Sequence, residues 1–351
     1  MSDRLLNCRQ RAAALMNCHL LVSDLFWPAS AGNEPYRGLA LPALETLLAR
    51  GRRVRTAGAS LERRLAAEYR LSDGLPLAPF SLRGDGGEPG GDCWMRADPV
   101  HLKVHGDRLI LADASQLAVT PDEAREFVAA LNSHFASEGI SLIAPSPLRW
   151  YLRTANAPRL RTTPTTEAAG RNVEPLLPDG DDGARWRRII NEAQMLLHQH
   201  PCNEARERQD QLAVNSVWLW GAGRDHSLAA PYDALWTDHP LAAGLAAAGG
   251  AAARPLPVSG DSLLEARRGG TQLVVLSLPA TAYGDLADWR DAVATLERLW
   301  IAPLLSGLRD AALESLTLHG LGPDYGYTSA LTRRDRLRFW RVRRPLHAYA
   351  A

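Results

Sequence analysis

The stretch Asn215-Ser-Val-Trp-Leu-Trp-Gly-Ala-Gly223 (NSVWLWGAG) decides the fold of this 351-residue chain. Its apolar run carries no charge and ends in Gly-Ala-Gly, which predicts a buried strand followed by a tight turn. A dinucleotide-binding turn needs a third glycine, which is absent here, so the turn is weak support for a nucleotide site. We predict that the strand returns the chain from a middle domain to a core. Asn215 would lie at the crossing point, and Trp218 and Trp220 would line a ligand cleft.

The sequence on both sides of a middle region alternates helix and buried strand. Residues 19–25 form a short apolar run with Asp24 near its end, and Pro42 and Gly51 delimit a helix. Residues 272–278 (QLVVLSL) are continuously apolar, as in a strand of a parallel sheet. A helical stripe follows, and we expect closing strands at 316–319 and 337–342.

The middle region has a different pattern. Residues 99–113 alternate around a His-Gly-Asp turn and predict a hairpin, while Thr120-Pro-Asp-Glu123 predicts a capped helix start. We therefore predict an α/β protein with a doubly wound sheet core and an inserted α+β cap domain. The predicted boundaries are 18–92 for the first part of the core, 93–214 for the cap and 215–351 for the second part of the core.

Composition excludes several classes of function. The 40 basic residues nearly cancel the 39 acidic ones, so no strong field favours nucleic acid or a membrane as partner. No apolar stretch reaches the roughly 20 residues that a membrane span needs, and no signal peptide is recognisable. Cys8, Cys18, Cys93 and Cys202 form no closely spaced pair. We expect a reduced cytoplasmic protein.

Arginines beside aromatic residues are the clearest candidates for a binding site. Arg96, Asp98 and His101 lie where a glycine-rich segment becomes a strand, and Arg149 begins Arg-Trp-Tyr-Leu-Arg. A guanidinium group matches the geometry of carboxylate and phosphate, so these residues predict contact with an acidic ligand. Surface arginines beside half-buried tryptophans are the equally simple alternative.

The C-terminal run RRDRLRFWRVRR, residues 333–344, is the main basic cluster. Its aromatic residues could stack on nucleotides. An edge strand whose arginines discourage pairing with other sheets fits the near-neutral chain better. The exposed aromatics are also candidates for a dimer interface, so a homodimer is possible.

Several segments, in this order, resemble the archaeal-type cofactor-independent phosphoglycerate mutases of the alkaline-phosphatase superfamily. They comprise the early helix 41–51, the strand, turn and helix of 96–132, residues 148–152, residues 162–170, the His-Pro-Cys-Asn segment 200–203 and the strand 213–223. The resemblance adds Asn203 to the candidate ligand contacts. It extends to a group of proteobacterial proteins described as regulatory proteins of the RpfE type.

The resemblance implies a phosphoryl-transfer site with two divalent metals, Mn²⁺ or Mg²⁺, but most of the family's ligands are missing. The opening Gly-Asp-Gly motif is reduced to Val-Ser-Asp-Leu-Phe, which leaves Asp24. Residues 279–283 have no carboxylate or histidine where the family has Asp-Glu-Ala-Gly-His, and His319 alone remains of a late Asp-His pair. Ser60 is the possible equivalent of the family's nucleophile. One aspartate cannot hold two divalent ions, so we expect no metal, with Asp24 and His319 as residual candidates.

Three hypotheses follow. The first is a catalytically degenerate, mutase-like protein that binds a small acidic or phosphorylated ligand or a protein partner in a regulatory role. The second is an active mutase or related phosphotransfer enzyme that uses a rearranged set of ligands: Asp24, Ser60, Asp285, Asp288 and His319. The third is a structural or partner-binding module.

Overall fold

The computed structural model describes residues 16–71, 74–266, 269–282 and 285–349. Cys8 lies outside this part of the chain. Two compact units are present. The first unit comprises Met1–Leu61, Tyr232–Asp238 and Ala251–Ala351, and the second comprises Glu62–Pro231 and His239–Gly250. The second unit is thus inserted into the sequence of the first.

The strands, numbered in chain order, are β1 Met16–Ser23, β2 Arg52–Ala57, β3 Cys93–His105, β4 Arg108–Ala112, β5 Ile140–Ser146, β6 Arg149–Thr154, β7 Ser216–Arg224, β8 Ala234–Trp236, β9 Ala252–Arg254, β10 Gly270–Ser277, β11 Leu313–Gly320 and β12 Tyr325–Thr332. The α-helices are α1 Pro42–Arg50, α2 Leu61–Glu68, α3 Ala78–Gly84, α4 Pro121–Phe135, α5 Thr165–Ala168, α6 Gly183–His198, α7 Pro201–Glu207, α8 Pro240–Ala248, α9 Gly260–Glu265, α10 Leu286–Leu296 and α11 Ala302–Arg309. A π-helical turn, Glu297–Ile301, joins α10 to α11.

The first unit is built on a seven-stranded sheet of order β2-β12-β11-β1-β10-β8-β9. Strand β1 pairs in parallel with β10 and β11, whereas β12 and β2 run antiparallel at one edge. The continuous apolar run of β10 lies between two strands, as the sequence predicted. Leu20, Val22, Leu47, Trp289 and Leu316 belong to the buried core of this unit.

The second unit contains an antiparallel sheet of order β4-β3-β6-β5, in which β7 also pairs with β3. Helices α4 and α6 contribute Phe127 and Trp186 to its core. The predicted capping box of α4 is confirmed. Thr120 Oγ1 accepts a hydrogen bond from the backbone of Glu123 at 3.3 Å, and the Glu123 carboxylate accepts one from the backbone of Thr120 at 2.8 Å.

The mixed α/β architecture is as predicted, but details differ. Residues 337–342 were expected to form a closing strand, and this is wrong: a 3₁₀ turn, Asp335–Leu337, and irregular backbone lie there. Strand β2 occupies the sheet edge instead. The strand predicted from NSVWLWGAG is present as β7, and its partner β3 lies in the second unit. The compact units divide after Leu61 and Pro231, and the domain boundaries at 92 and 214 stay a prediction.

Within the described ranges, no helix combines the length and the apolar character needed to cross a membrane.

Candidate functional site

Arg96 is the centre of a buried polar network in the second unit. It lies on β3, opposite Tyr151 of β6 on one side and Trp220 of β7 on the other. Its guanidinium carbon is 5.2 Å from the ring centroid of each of these aromatic residues. Arginine is suited to this position because its planar, weakly hydrated cation stacks on aromatic faces.

Asp98, two residues further along the same strand, is the carboxylate partner of Arg96. Its Oδ1 accepts a hydrogen bond from Arg96 Nε at 2.8 Å. Its Oδ2 accepts hydrogen bonds from Thr165 Oγ1 at 2.6 Å and from Trp220 Nε1 at 2.8 Å. Both side chains are buried, so each charge depends on the other for compensation.

A second ion pair joins this network through two hydroxyl groups. Arg149 donates to both carboxylate oxygens of Asp85, with Nε–Oδ2 at 2.9 Å and Nη2–Oδ1 at 2.7 Å. Tyr151 Oη donates to Asp85 Oδ2, and it lies 2.8 Å from Ser81 Oγ. Ser81 Oγ in turn accepts from Arg96 Nη1 at 2.9 Å. Two arginines and two aspartates therefore form one connected network with no net charge.

The electrostatics of the network affect its neighbours. Burial raises the pKa of the Tyr151 hydroxyl above its ordinary value, so this group remains a neutral donor. Burial lowers the pKa of His239 to about 4, and the positive charges of Arg96 and Arg149 lower it in the same direction. At neutral pH, His239 is therefore uncharged.

Of the predicted ligand residues, Arg96, Asp98, Arg149 and Trp220 are brought together in this network. The other four bond to backbone groups. Trp218 Nε1 donates to the Thr163 carbonyl at 2.8 Å, and His101 Nδ1 lies 2.9 Å from the Ala213 carbonyl.

Both predicted asparagines bridge backbone segments. Asn215 accepts from Leu102 N at 2.7 Å and donates to Leu102 O at 2.9 Å, which extends the contact between β7 and β3. Asn203 bonds in the same two-sided way to Val214. These side chains hold the strand in place, and their role as ligand contacts stays a prediction.

The residues proposed for catalysis lie in the first unit. Asp24 follows β1, and its Oδ1 accepts from Thr281 N and Oγ1, each at 3.3 Å. His319, on β11, lies 3.1 Å from His19 through its Nε2 and 3.2 Å from Thr328 Oγ1 through its Nδ1. Ser60 directly precedes α2.

The two remaining candidates belong to a helix terminus. Asp285 caps α10, since its Oδ1 accepts from Ala287 N at 2.9 Å and from Asp288 N at 3.1 Å. A carboxylate engaged in this way is occupied by the helix. Asp288 lies in the first turn of the same helix, where a negative charge stabilises the helix dipole.

The donor set at these strand ends does not fit a two-metal centre. A pair of divalent ions needs several carboxylates and imidazoles directed at a common point. Among the described residues, no three His, Cys, Asp or Glu side chains are grouped so that they could hold a metal ion. Burial also raises the pKa of Asp24, which disfavours the anion that a hard cation requires.

Sequence reasoning missed four members of the network, Ser81, Asp85, Tyr151 and Thr165, and its neighbour His239. Asp85 was not selected, because it lies in the glycine-rich segment that precedes β3. Tyr151 could have been predicted, because it lies two residues after Arg149 on one strand and the two side chains therefore share a face of the sheet.

The sequence comparisons match a region of the chain that lies in the second unit. Residues 89–203 match the family model described as 2,3-bisphosphoglycerate-independent phosphoglycerate mutase. A probable mutase of that name from Geobacter sulfurreducens is 24% identical over 134 residues, which is 38% of this chain and 34% of the relative. The mutase of Methanosarcina mazei is 27% identical over 116 residues, 32% of this chain and 29% of the relative. These matches support the phosphoglycerate mutase family.

The solved structures extend the likeness to almost the whole chain. The cofactor-independent phosphoglycerate mutase of Thermoplasma acidophilum superposes with a TM-score of 0.51 at 15% identity, over 95% of this chain and 94% of that one. A protein of Pyrococcus horikoshii gives 0.55 at 13% identity, over 91% and 88%. These neighbours confirm the predicted fold class, a mixed α/β architecture. The sequence matches themselves span only about a third of the curated mutases' length.

Proposed function

We propose that this phosphoglycerate-mutase-like protein has lost the two-metal centre and acts by binding, not by phosphoryl transfer. The observation that supports the proposal most directly is the set of hydrogen bonds that Asp24 and His319 make. Asp24 is bonded to Thr281, and His319 is bonded to His19 and Thr328.

The ligand that we propose is a small acidic or phosphorylated molecule, with Arg149 as its main contact. The Arg149 side chain is 30% exposed. Its Nε and Nη2 bond to Asp85, and within the described residues Nη1 has no hydrogen-bond partner. Arg96 is less suited to the task, because it is buried and bonded to Asp98 and Ser81. Because the network has no net charge, we expect it to bind the ligand weakly, through the Nη1 edge of the Arg149 guanidinium group.

The regulatory role and a protein partner are the finer parts of the proposal. They rest on the resemblance to regulatory proteins of the RpfE type and on the missing metal ligands. A chain that keeps the fold and the charged network but not the metal ligands can still recognise a molecule and signal its presence.

Two measurements on the purified protein test the proposal. The first is interconversion of 2- and 3-phosphoglycerate with added Mn²⁺ or Mg²⁺, followed by ³¹P NMR, together with metal content by mass spectrometry. We expect no turnover above the metal-only control and less than one divalent ion per chain. Two bound ions with turnover would overturn the loss of the metal centre.

The second measurement is calorimetric titration with 3-phosphoglycerate. We expect binding to the unaltered protein and to Arg153→Gln, and none to Arg149→Gln. Arg153 is the matched control, since it lies on the same strand and is 52% exposed. Equal binding by both variants would remove Arg149 from the site.

A further inference from the structure

One edge of the first unit's sheet is open. Strand β2 pairs with β12 on one side and is the last strand of the sheet order. Its sequence is Arg-Arg-Val-Arg-Thr-Ala, and residues 52–55 are all exposed. Within the described part of the chain, no strand pairs with its outer side. The backbone donors and acceptors of that side are therefore available for another strand.

The C-terminal segment 333–344 is attached beside the start of β2. Arg341 Nη1 donates to the Gly51 carbonyl at 3.1 Å, and Arg50 Nη1 donates to the Arg336 carbonyl at 2.9 Å. We call the surface formed by β2 and residues 333–344 the basic edge. All of its residues belong to the first unit.

The basic edge presents apolar side chains to solvent. Phe339 is 79% exposed, Trp340 65% and Val342 78%, and on β2 Val54 is 63% exposed. The Phe339 and Trp340 rings contact each other edge to face, with centroids 5.4 Å apart. Large apolar residues grouped on a surface mark an interaction site more often than isolated ones do.

The basic edge is also strongly positive, although the whole chain has a net charge of only +1. Residues 333–344 include seven arginines and one acidic residue, Asp335, and β2 adds three arginines. Asp335 is engaged within the segment, where it accepts from Thr332 Oγ1 at 2.8 Å and pairs with Arg338 at 2.7 Å. Asp335 is therefore already paired, and within residues 333–344 the arginines outnumber it seven to one.

From these observations we propose that the basic edge binds an extended, acidic segment of a partner protein, which pairs with β2 as an added strand. Acidic residues of the segment contact the arginines, and apolar residues alternating with them pack on Val54 and Trp340. The alternation of a strand supplies both contacts at once, since successive side chains point to opposite faces. This inference goes beyond the proposed function and does not depend on it, because a chain with mutase activity could carry the same surface.

The charge selects this partner over two others. A second copy of the chain, joined through the same surface, would place arginines against arginines, which is unfavourable. A nucleic acid would match the charge and stack on Trp340, but it offers no ladder of amide donors and acceptors to the open side of β2. The arginines thus disfavour pairing with a basic strand and favour pairing with an acidic one. Specificity for the partner comes from this repulsion as well as from the attraction.

The test uses the full-length protein and a fluorescein-labelled peptide of alternating Glu and Val, with a Lys-Val peptide as control. Binding is followed by fluorescence anisotropy. We expect the Glu-Val peptide alone to bind, with affinity that falls as salt is added. Trp340→Ser and the double variant Arg343→Glu/Arg344→Glu should each weaken binding about tenfold or more.

Val258→Ser and Arg37→Glu are the matched controls, because Val258 is 80% exposed, the Arg37 side chain is 82% exposed, and neither residue belongs to β2 or to residues 333–344. Neither should change the affinity. Circular dichroism of each variant checks that the fold is kept.

Hydrogen exchange separates strand addition from simple charge attraction. Amides of β2 should gain protection when the Glu-Val peptide is saturating. Binding without protection of β2 would overturn the added strand. Absence of peptide binding, or tighter binding of single-stranded oligonucleotides, anionic vesicles or a second copy of the chain, would overturn the proposal as a whole.

Discussion

Each compact unit contains a set of polar side chains that the sequence offered as candidates for a functional site, and the two sets are built in opposite ways. In the second unit, Arg96, Asp98, Arg149 and Asp85 form a dense network in which each charge has a partner. In the first unit, Asp24 bonds to Thr281, His319 bonds to His19 and Thr328, and the described residues form no cluster of metal ligands.

The difference indicates which of the two sets is the more costly to alter. A buried ion pair is costly to break from one side, because the remaining charge is left uncompensated. Substitutions in the second unit's network therefore carry a stability penalty whatever the protein does. Metal ligands at strand ends repel one another when no ion is bound, so their replacement costs little stability. The region that matches the family model, residues 89–203, contains three of the four charged members of the network.

The largest effect should come from breaking the central ion pair. Asp98→Ala leaves Arg96 buried without its carboxylate and removes the acceptor of Trp220 Nε1, so it should lower the free energy of unfolding by about 3–5 kcal/mol. Urea denaturation followed by tryptophan fluorescence measures this change. Asp122→Ala is the control, because its pair with Arg125 is 71–78% exposed and is worth at most about 0.5 kcal/mol. A loss below about 1 kcal/mol for Asp98→Ala would contradict the view that this network is held by its charges.

A smaller effect is expected from removing the hydroxyl that connects the two ion pairs. Tyr151→Phe keeps the buried ring but deprives Asp85 of a donor and Ser81 of a partner, and it should cost about 1–2 kcal/mol. Ser81→Ala and the double variant complete a mutant cycle. Coupling of at least about 0.5 kcal/mol is expected, because the two hydroxyl groups are 2.8 Å apart. Additive losses would mean that the ion pairs act separately.

The third expected effect depends on pH. The folded-state pKa of His239 is about 4, below its ordinary value of 6.5, because burial and the neighbouring arginines disfavour its charged form. The stability from this group is fully present above pH 6.5 and is lost as the pH falls towards 4. Melting temperature measured between pH 8 and 4 should therefore decrease more for the unaltered protein than for His239→Gln. Parallel curves would show that the histidine has no part in the acid sensitivity.

Much of the fold could be predicted because its signals are local. The capping box at Thr120, the apolar run of β10 and the helical stripe of α10 each depend on residues within a few positions of one another. Strand β2 was missed because arginines fill three of its six positions, and only its pairing with β12 makes it a strand. The strand expected at 337–342 was inferred from alternation alone, which an exposed irregular segment also shows.

The candidate site was predictable only in part, since its members come from separate elements. Arg96, Asp98 and Trp220 were selected from their own segments, but nothing local shows that Asp85 approaches Arg149 from 64 residues away. That pairing also changes the chemistry, because an arginine expected to meet a ligand already has a carboxylate. The sequence indicated that Arg96, Asp98 and Arg149 belong to a charged site. Only the tertiary contacts show how far their charges are neutralised.

The smallest effect on stability is expected at Asp24, where a protein that used this residue as a metal ligand would show a large one. Asp24→Asn retains a side-chain oxygen that accepts hydrogen bonds from Thr281. It removes only a carboxyl group whose pKa is already raised by burial. The melting temperature should therefore stay within about 2 °C of the unaltered value, on a scale where 1 kcal/mol shifts it by about 2–4 °C. Scanning calorimetry with Mn²⁺ and with a chelator provides the comparison, and neither addition should separate the two proteins. If Mn²⁺ raised the melting temperature of the unaltered protein and not of Asp24→Asn, the aspartate would be a working metal ligand. The contrast between the two units would then disappear, because both would carry functional polar sites.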